Sequence, residues 1–134
     1  MKLTNEELNK IKNIVFRYDL HYKMWDWLYK HPDKYKTHFL KLYPEYKKLS
    51  GPFNCFACAY ADKVAEKLKY PYISCIFCPL KSKTDKSEDC CQGLYNKWCD
   101  AQYNKNYKAS AKYAKKIRDL PLDKMYNFED VNGI

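Results

Sequence analysis

Apolar residues near the N-terminus recur at steps of three and four, with Leu8, Ile11, Val15, Tyr18, Tyr22 and Trp25 forming one stripe. That spacing predicts a long amphipathic helix whose stripe packs into a core. Thr4 and Glu7 supply a capping box at its start, and Leu3 and Leu8 stand where a hydrophobic staple would close. His31-Pro32 ends the pattern. Pro32-Asp33 can open a second, shorter helix carrying Tyr35, Phe39 and Leu42, which Pro44 would terminate or kink. His21, His31 and His38 repeat at no metal-binding interval and read as surface or packing residues.

A turn at Ser50-Gly51-Pro52 delivers the chain to its middle third. From Ala57 to Lys69 the residues Ala57, Tyr60, Ala61, Val64 and Leu68 share a helical face, which places Cys58 in the first turn of that helix. Tyr70-Pro71 breaks it. Residues 81–89 are the most polar stretch and read as an exposed loop. Leu94, Tyr95, Trp98 and Cys99 then predict a short packed helix. A last helix is expected from Asn104 to Leu120, stopped by Pro121, and the tail to Ile134 has no clear period.

Two Cys-x-x-Cys pairs, Cys55-Phe56-Ala57-Cys58 and Cys75-Ile76-Phe77-Cys78, flank sixteen residues. This is the spacing of a structural zinc site. Cys55, Cys58, Cys75 and Cys78 are therefore the expected ligands of one tetrahedral zinc, a closed site that stabilises a fold and leaves no position for catalysis. Cys90 or Cys91 could replace one member, but adjacent cysteines rarely both bind one tetrahedral metal. An iron–sulfur cluster is the weaker alternative, because the spacing matches no ferredoxin run. Cys99 lacks a nearby cysteine partner and reads as a packing residue.

With 134 residues, the chain is expected to form one mainly α-helical domain over 1–134. Its parts are N-terminal helices (1–50), a cysteine-rich zinc region with room for a short β-hairpin (51–100), a basic C-terminal helix (101–120) and a tail (121–134). The seven cysteines are an odd count and read as reduced thiols of a cytoplasmic protein. No apolar run is long enough to span a bilayer, and the acidic, polar N-terminus is unlike a signal peptide. No membrane partner is expected.

The formal net charge of +9 favours an acidic or nucleic-acid partner. Arg17 and Arg118 are the only arginines, so bidentate reading of bases is disfavoured and phosphate contact is favoured. Lys105, Lys108, Lys112 and Lys115 step by three and four along the expected last helix, opposite Tyr103, Tyr107, Ala114 and Ile117. With Lys81, Lys83 and Lys86 they form a candidate phosphate-binding surface. Neighbouring rings could stack on single-stranded bases. Phosphate-cradling glycine loops and the common hydrolase and metalloprotease motifs are missing, which points away from an enzyme.

The order of motifs resembles that of small cysteine-rich proteins of phages and prophages of low-GC bacteria. The likeness runs through Met24-Trp25-Asp26-Trp27-Leu28, the two cysteine pairs with Ala59-Tyr60 and Pro79-Leu80 after them, and Cys91-Gln92-Gly93-Leu94-Tyr95-Asn96-Lys97-Trp98. It covers residues 15 to 120. Among such proteins the chain is most similar to a zinc-containing type II anti-CRISPR protein. The resemblance implies a monomeric inhibitor that binds the host CRISPR effector nuclease or its guide RNA complex stoichiometrically and blocks DNA loading or cleavage. A zinc-dependent nucleic-acid-binding phage regulator is the alternative.

Overall fold

A computed structural model describes residues 3–51, 54–70, 77–80, 91–122 and 127–128. The described chain is mainly helical, in the order α1 (Asn5–Ile11), β1 (Val15–Phe16), α2 (Tyr18–Lys30), α3 (Lys36–Leu42), a 3-10 turn (Pro44–Tyr46), α4 (Lys47–Ser50), α5 (Phe56–Lys67), α6 (Cys91–Tyr103), α7 (Tyr107–Arg118) and β2 (Asn127–Phe128). The two short strands run parallel, with Val15 opposite Asn127 and Phe16 opposite Phe128. An isolated antiparallel bridge joins Leu80 to Leu122. Among the described residues no hairpin forms beside the cysteines. The β pairing found there among the described residues ties the segment after Cys78 to the chain beyond α7.

The capping box at α1 is formed as the sequence predicts: Glu7 N–H donates to Thr4 Oγ1 at 3.1 Å, and Thr4 N–H donates to Glu7 Oε1 at 3.0 Å. The long helix expected to follow is broken. Ile14-Val15-Phe16 is a β-branched and aromatic run that favours extended backbone, and it becomes β1. The break shifts the register of the stripe. Val15 is left 43% exposed, while Phe16, which the stripe omits, is fully buried. Phe16 packs against the rings of Tyr18 and Tyr60, at centroid distances of 6.0 and 5.8 Å.

α3 also departs from expectation. Tyr35 caps it and Lys36 is its first residue, because Pro32 and Asp33 lie in the preceding turn. Phe39 and Leu40 are buried, whereas Leu42 is 59% exposed. Pro44 ends α3 and opens the 3-10 turn, where its missing N–H costs nothing. Gly51 sits at φ 65°, and a side chain there would meet Ala59 Cβ at 3.3 Å, so the close turn into α5 requires glycine.

α2 is the axis of the domain and packs against α3, α5 and α7, while α6 and α7 form a helical hairpin. Trp25 carries the aromatic centre of the core: its ring meets Trp98 edge-to-face at 5.2 Å and Tyr95 at 6.3 Å. The contact of α2 with α7 is also polar. His21 is buried, and its Nε2–H donates to the Ile117 carbonyl oxygen at 3.2 Å. A carbonyl only accepts, so this nitrogen carries the proton. Arg118, most of its side chain buried, bonds Asp26 Oδ1 and Asp119 Oδ1, both at 2.8 Å, and stacks on the rings of Tyr22 and Tyr29. Burial pushes the Asp26 carboxyl up, but hydrogen bonds from Lys30 and Arg118 outweigh it and hold the group below the ordinary carboxylate range.

Burial lowers the His21 pKa from 6.5 to about 4, against the opposing effect of its bond to Ile117. Folding therefore excludes a proton that the unfolded chain binds below pH 6.5. Stability is complete above that value and declines as pH falls toward 4. At about 1.4 kcal/mol per pH unit in this window, acidification from pH 7 to 5 should remove about 2 kcal/mol. Denaturant titrations at the two pH values measure this loss. The His21→Gln variant should show less than half of it.

Candidate metal centre and basic surfaces

Cys55 caps α5. It accepts a hydrogen bond on Sγ from Cys58 N–H at 3.2 Å, and its own N–H donates to Ser50 O at 2.9 Å. The helix N-terminus supplies partial positive charge to both thiols. The Cys58 thiol donates to the Cys55 sulfur, and this bond together with backbone N–H groups and nearby Lys36 outweighs burial, lowering the Cys55 pKa to about 7. Cys58 is driven strongly the other way, first by holding its proton against Cys55, then by burial and by the charges of Cys55 and Cys78. Two of the expected zinc ligands thus already share a hydrogen-bonded knuckle, and Cys78 lies within electrostatic reach of it.

Cys75 and Cys90 lie outside the described residues, as does the Cys91 side chain. Among the described residues, no group of three Cys, His, Asp or Glu side chains is placed to hold a metal. The donor chemistry of Cys55, Cys58 and Cys78 suits a thiolate metal, with the position of Cys75 needed to complete the set. Cys99 is nearer this region than its sequence position suggests. Tyr95 hydrogen-bonds Cys99 and also feels the charges of Cys55 and Cys58; its pKa is raised, first by burial and then by these sulfurs.

Sequence reasoning missed Lys36. It is only 9% exposed, and its Nζ lies 4.3 Å from the centroid of the Tyr95 ring, within reach of the two cysteines of α5. A buried ammonium is costly without negative charge or π-electron density beside it. An apolar-patterned reading of α3 gives a lysine no reason to be inside.

The structure redraws the lysine ridge. Lys105 is not helical: it occupies the α6–α7 turn at φ 55°, where Asn106 N–H donates to Ala101 O at 2.8 Å. The expected last helix begins instead at Tyr107, capped by Asn106, whose side chain accepts from Ala109 N–H at 3.2 Å. Lys108, Lys112 and Lys115 do share α7, and all are exposed, as is Lys116. None of them forms an ion pair among the described residues; Lys112 and Lys115 lie over the rings of Tyr113 and Tyr29. The buried face of α7 is Ser110, Ala114 and Ile117. Tyr103 and Tyr107, expected on that face, are 88% and 40% exposed. Lys81, Lys83 and Lys86 lie outside the described residues.

Two concave surfaces were not legible in the sequence. A groove of about 730 Å³ between α1 and the end of α5 gathers Lys10, Lys63, Lys67 and Lys69 around Ile14 and Leu68, with Glu66 the lone acid among its lining residues. A second cleft, about 420 Å³, lies between the start of α3 and α6. In its wall Gln102 donates through Nε2 to Pro32 O at 2.7 Å and to Ser110 Oγ. That leaves Gln102 Oε1 buried without a partner among the described residues, as is Trp98 Nε1. Each such group carries a desolvation cost of about 1–3 kcal/mol.

Cys55 should titrate near pH 7 in metal-free protein. The thiolate absorbance in the near ultraviolet, taken as the difference between parent and Cys55→Ser, should rise with a midpoint about two pH units below that of an ordinary thiol.

No family model matches the chain, and neither the curated proteins nor the solved structures contain a match to it.

Proposed function

We propose that the chain is a non-catalytic interaction protein that binds a nucleoprotein, through phosphates on the ridge of α7, and that its cysteine region is held by a structural zinc. The observation that carries the reading is the concentration of exposed lysines on α7, Lys108, Lys112, Lys115 and Lys116, without acidic partners among the described residues. Like charges gathered on one face destabilise a fold by mutual repulsion and are relieved by a polyanion. The groove of Lys10, Lys63, Lys67 and Lys69 adds a second basic surface of the same character.

The resemblance to anti-CRISPR proteins names the partner class as a type II effector nuclease with its guide RNA. A chain of net charge +9 is repelled by the positively charged channels in which such effectors hold nucleic acid. It is not built to imitate DNA. Contact with exposed guide phosphates, with rings such as Tyr103 at the edge, fits both its charge and its scarcity of arginine. Inhibition would follow from occupying the surface on which target DNA loads.

Charge reversal at Lys108, Lys112 and Lys115 together should slow association with an effector–guide complex while leaving the melting temperature within a few degrees. With about 0.7 counterions released per single-strand phosphate, the log–log salt dependence should lose about two in slope. Parent-like binding by the triple variant would show that the ridge is only a solvated face. Tight binding of the parent to bare duplex DNA, with none to the complex, would favour the regulator reading.

In the zinc reading, Cys55, Cys58, Cys75 and Cys78 hold the metal, and the Cys58 thiol proton is released on binding. Held by these four cysteines, a zinc ion would tie α5 to the segment that carries Cys75 and Cys78. Cys55→Ser or Cys78→Ser should abolish stoichiometric zinc and cost more than about 4 kcal/mol. Cys99→Ser should keep the metal. Elemental analysis and denaturation of each variant test this; zinc retained in Cys78→Ser, or lost in Cys99→Ser, requires another ligand set.

A further inference from the structure

The geometry points to the cleft between α3 and α6 as a pocket for one unpaired nucleobase, a reading that rests on the nucleoprotein partner proposed above and names what its nucleic acid inserts. The cleft is open to solvent and offers about 420 Å³, a volume suited to one planar heterocycle with its sugar. Its walls are aromatic. Tyr95 and Trp98 lie nearly parallel, at 24° and 5.8 Å, while Tyr35 and Tyr103 stand at the rim, 47% and 88% exposed. Base stacking on such rings needs no particular sequence.

Two lining residues carry buried polar atoms that the described fold leaves unsatisfied. Trp98 Nε1 is a donor without an acceptor, and Gln102 Oε1 is an acceptor without a donor. Trp98 and Gln102 are four residues apart on α6, so their side chains are neighbours on one face. The amide of Gln102 cannot be turned over, because Nε2 serves the Pro32 carbonyl, which only accepts. Every nucleobase presents an acceptor next to a donor along its edge, the complement of this pair. Both atoms are covered in the described fold, so an occupant reaches them only if the Trp98 indole and the carbonyl end of Gln102 shift toward the cleft.

Position supports the same occupant. Tyr103 is the last residue of α6, and the turn from it leads through Lys105 to Lys108 at the start of the ridge. The rim residue Tyr103 thus stands five positions before the first lysine of the ridge.

The test uses intact protein labelled with nitrogen-15 at tryptophan, in which Trp98→Phe assigns the Trp98 indole N–H signal. Titration with AMP, GMP, CMP and UMP should move that signal saturably for at least one nucleotide, while ribose 5-phosphate, which has no base, leaves it in place. Tyr103→Ala, at an exposed rim position that folding does not need, should weaken the effect by about five- to tenfold. Ribo- and deoxyribo-octamers compared in the same assay identify RNA or DNA as the source of the base. An indole signal unmoved by all four nucleotides, moved equally by ribose 5-phosphate, or insensitive to Tyr103→Ala overturns the pocket. Failure of the ridge is read separately, because the Lys108, Lys112 and Lys115 reversal leaves mononucleotide binding intact and acts only on the effector–guide complex.

Discussion

The contact of α2 with α7 is the constraint on which the other elements depend. Among the described elements α2 packs against α3, α5 and α7, and α7 holds it by a proton that must stay on Nε2 of a neutral, buried His21. Apolar packing alone would allow α7 to slide along α2. The His21–Ile117 bond and the Arg118–Asp26 pair fix the register, because moving either helix by a turn would leave the buried imidazole without its acceptor and part the Arg118 guanidinium from Asp26. Once α7 is fixed, α6 follows through the hairpin. Trp98 is thereby brought onto Trp25, and the cleft is formed against α3.

That dependence explains why the candidate surfaces lie where they do. The inner face of α7 is small, with Ser110, Ala114 and Ile117 all buried, so the helix lies close against its neighbours. Among the positions left outward in this lysine-rich chain, Lys108, Lys112, Lys115 and Lys116 carry the charge. Ser110 also serves Gln102, so the orphaned oxygen of that amide is a consequence of the same close packing.

Helical class was legible, and so were the start of α1, the turn at Gly51, and α5 with Cys58 in its first turn, because each rests on local chemistry: a capping box, a positive φ, an unbroken apolar face. The break at Val15–Phe16 was not, because an apolar residue at each third or fourth place satisfies a helical template even when the backbone is extended. Three successive apolar residues, Ile14 to Phe16, were the available signal. The α6–α7 turn was missed for want of glycine, although Asn104 and Asn106 bracket it and asparagine is a strong helix cap. The groove and the cleft bring together residues more than fifty positions apart, and no one-dimensional pattern contains them. Of the four expected zinc ligands, Cys55 and Cys58 adjoin at the start of α5; Cys75 lies outside the described residues, and no metal-holding group stands among the described ones.

Charge is managed differently inside and outside this molecule. Inside, the Arg118 guanidinium meets Asp26, and the Lys36 ammonium meets the Tyr95 ring and the sulfurs of α5. A zinc bound by four thiolates carries a net charge of −2, so Lys36 would offset part of it and the metal would in turn make the buried lysine less costly. Lys36 therefore belongs to the cysteine region and to the cleft at once, and Tyr95 is the ring between them. Outside, the lysines of α7 are left to solvent and to the edges of tyrosine rings, where surface charge contributes little to stability. The fold thus gains nothing from the ridge, while a phosphate chain would, and this asymmetry is the physical ground for reading the inner charges as structure and the outer ones as function.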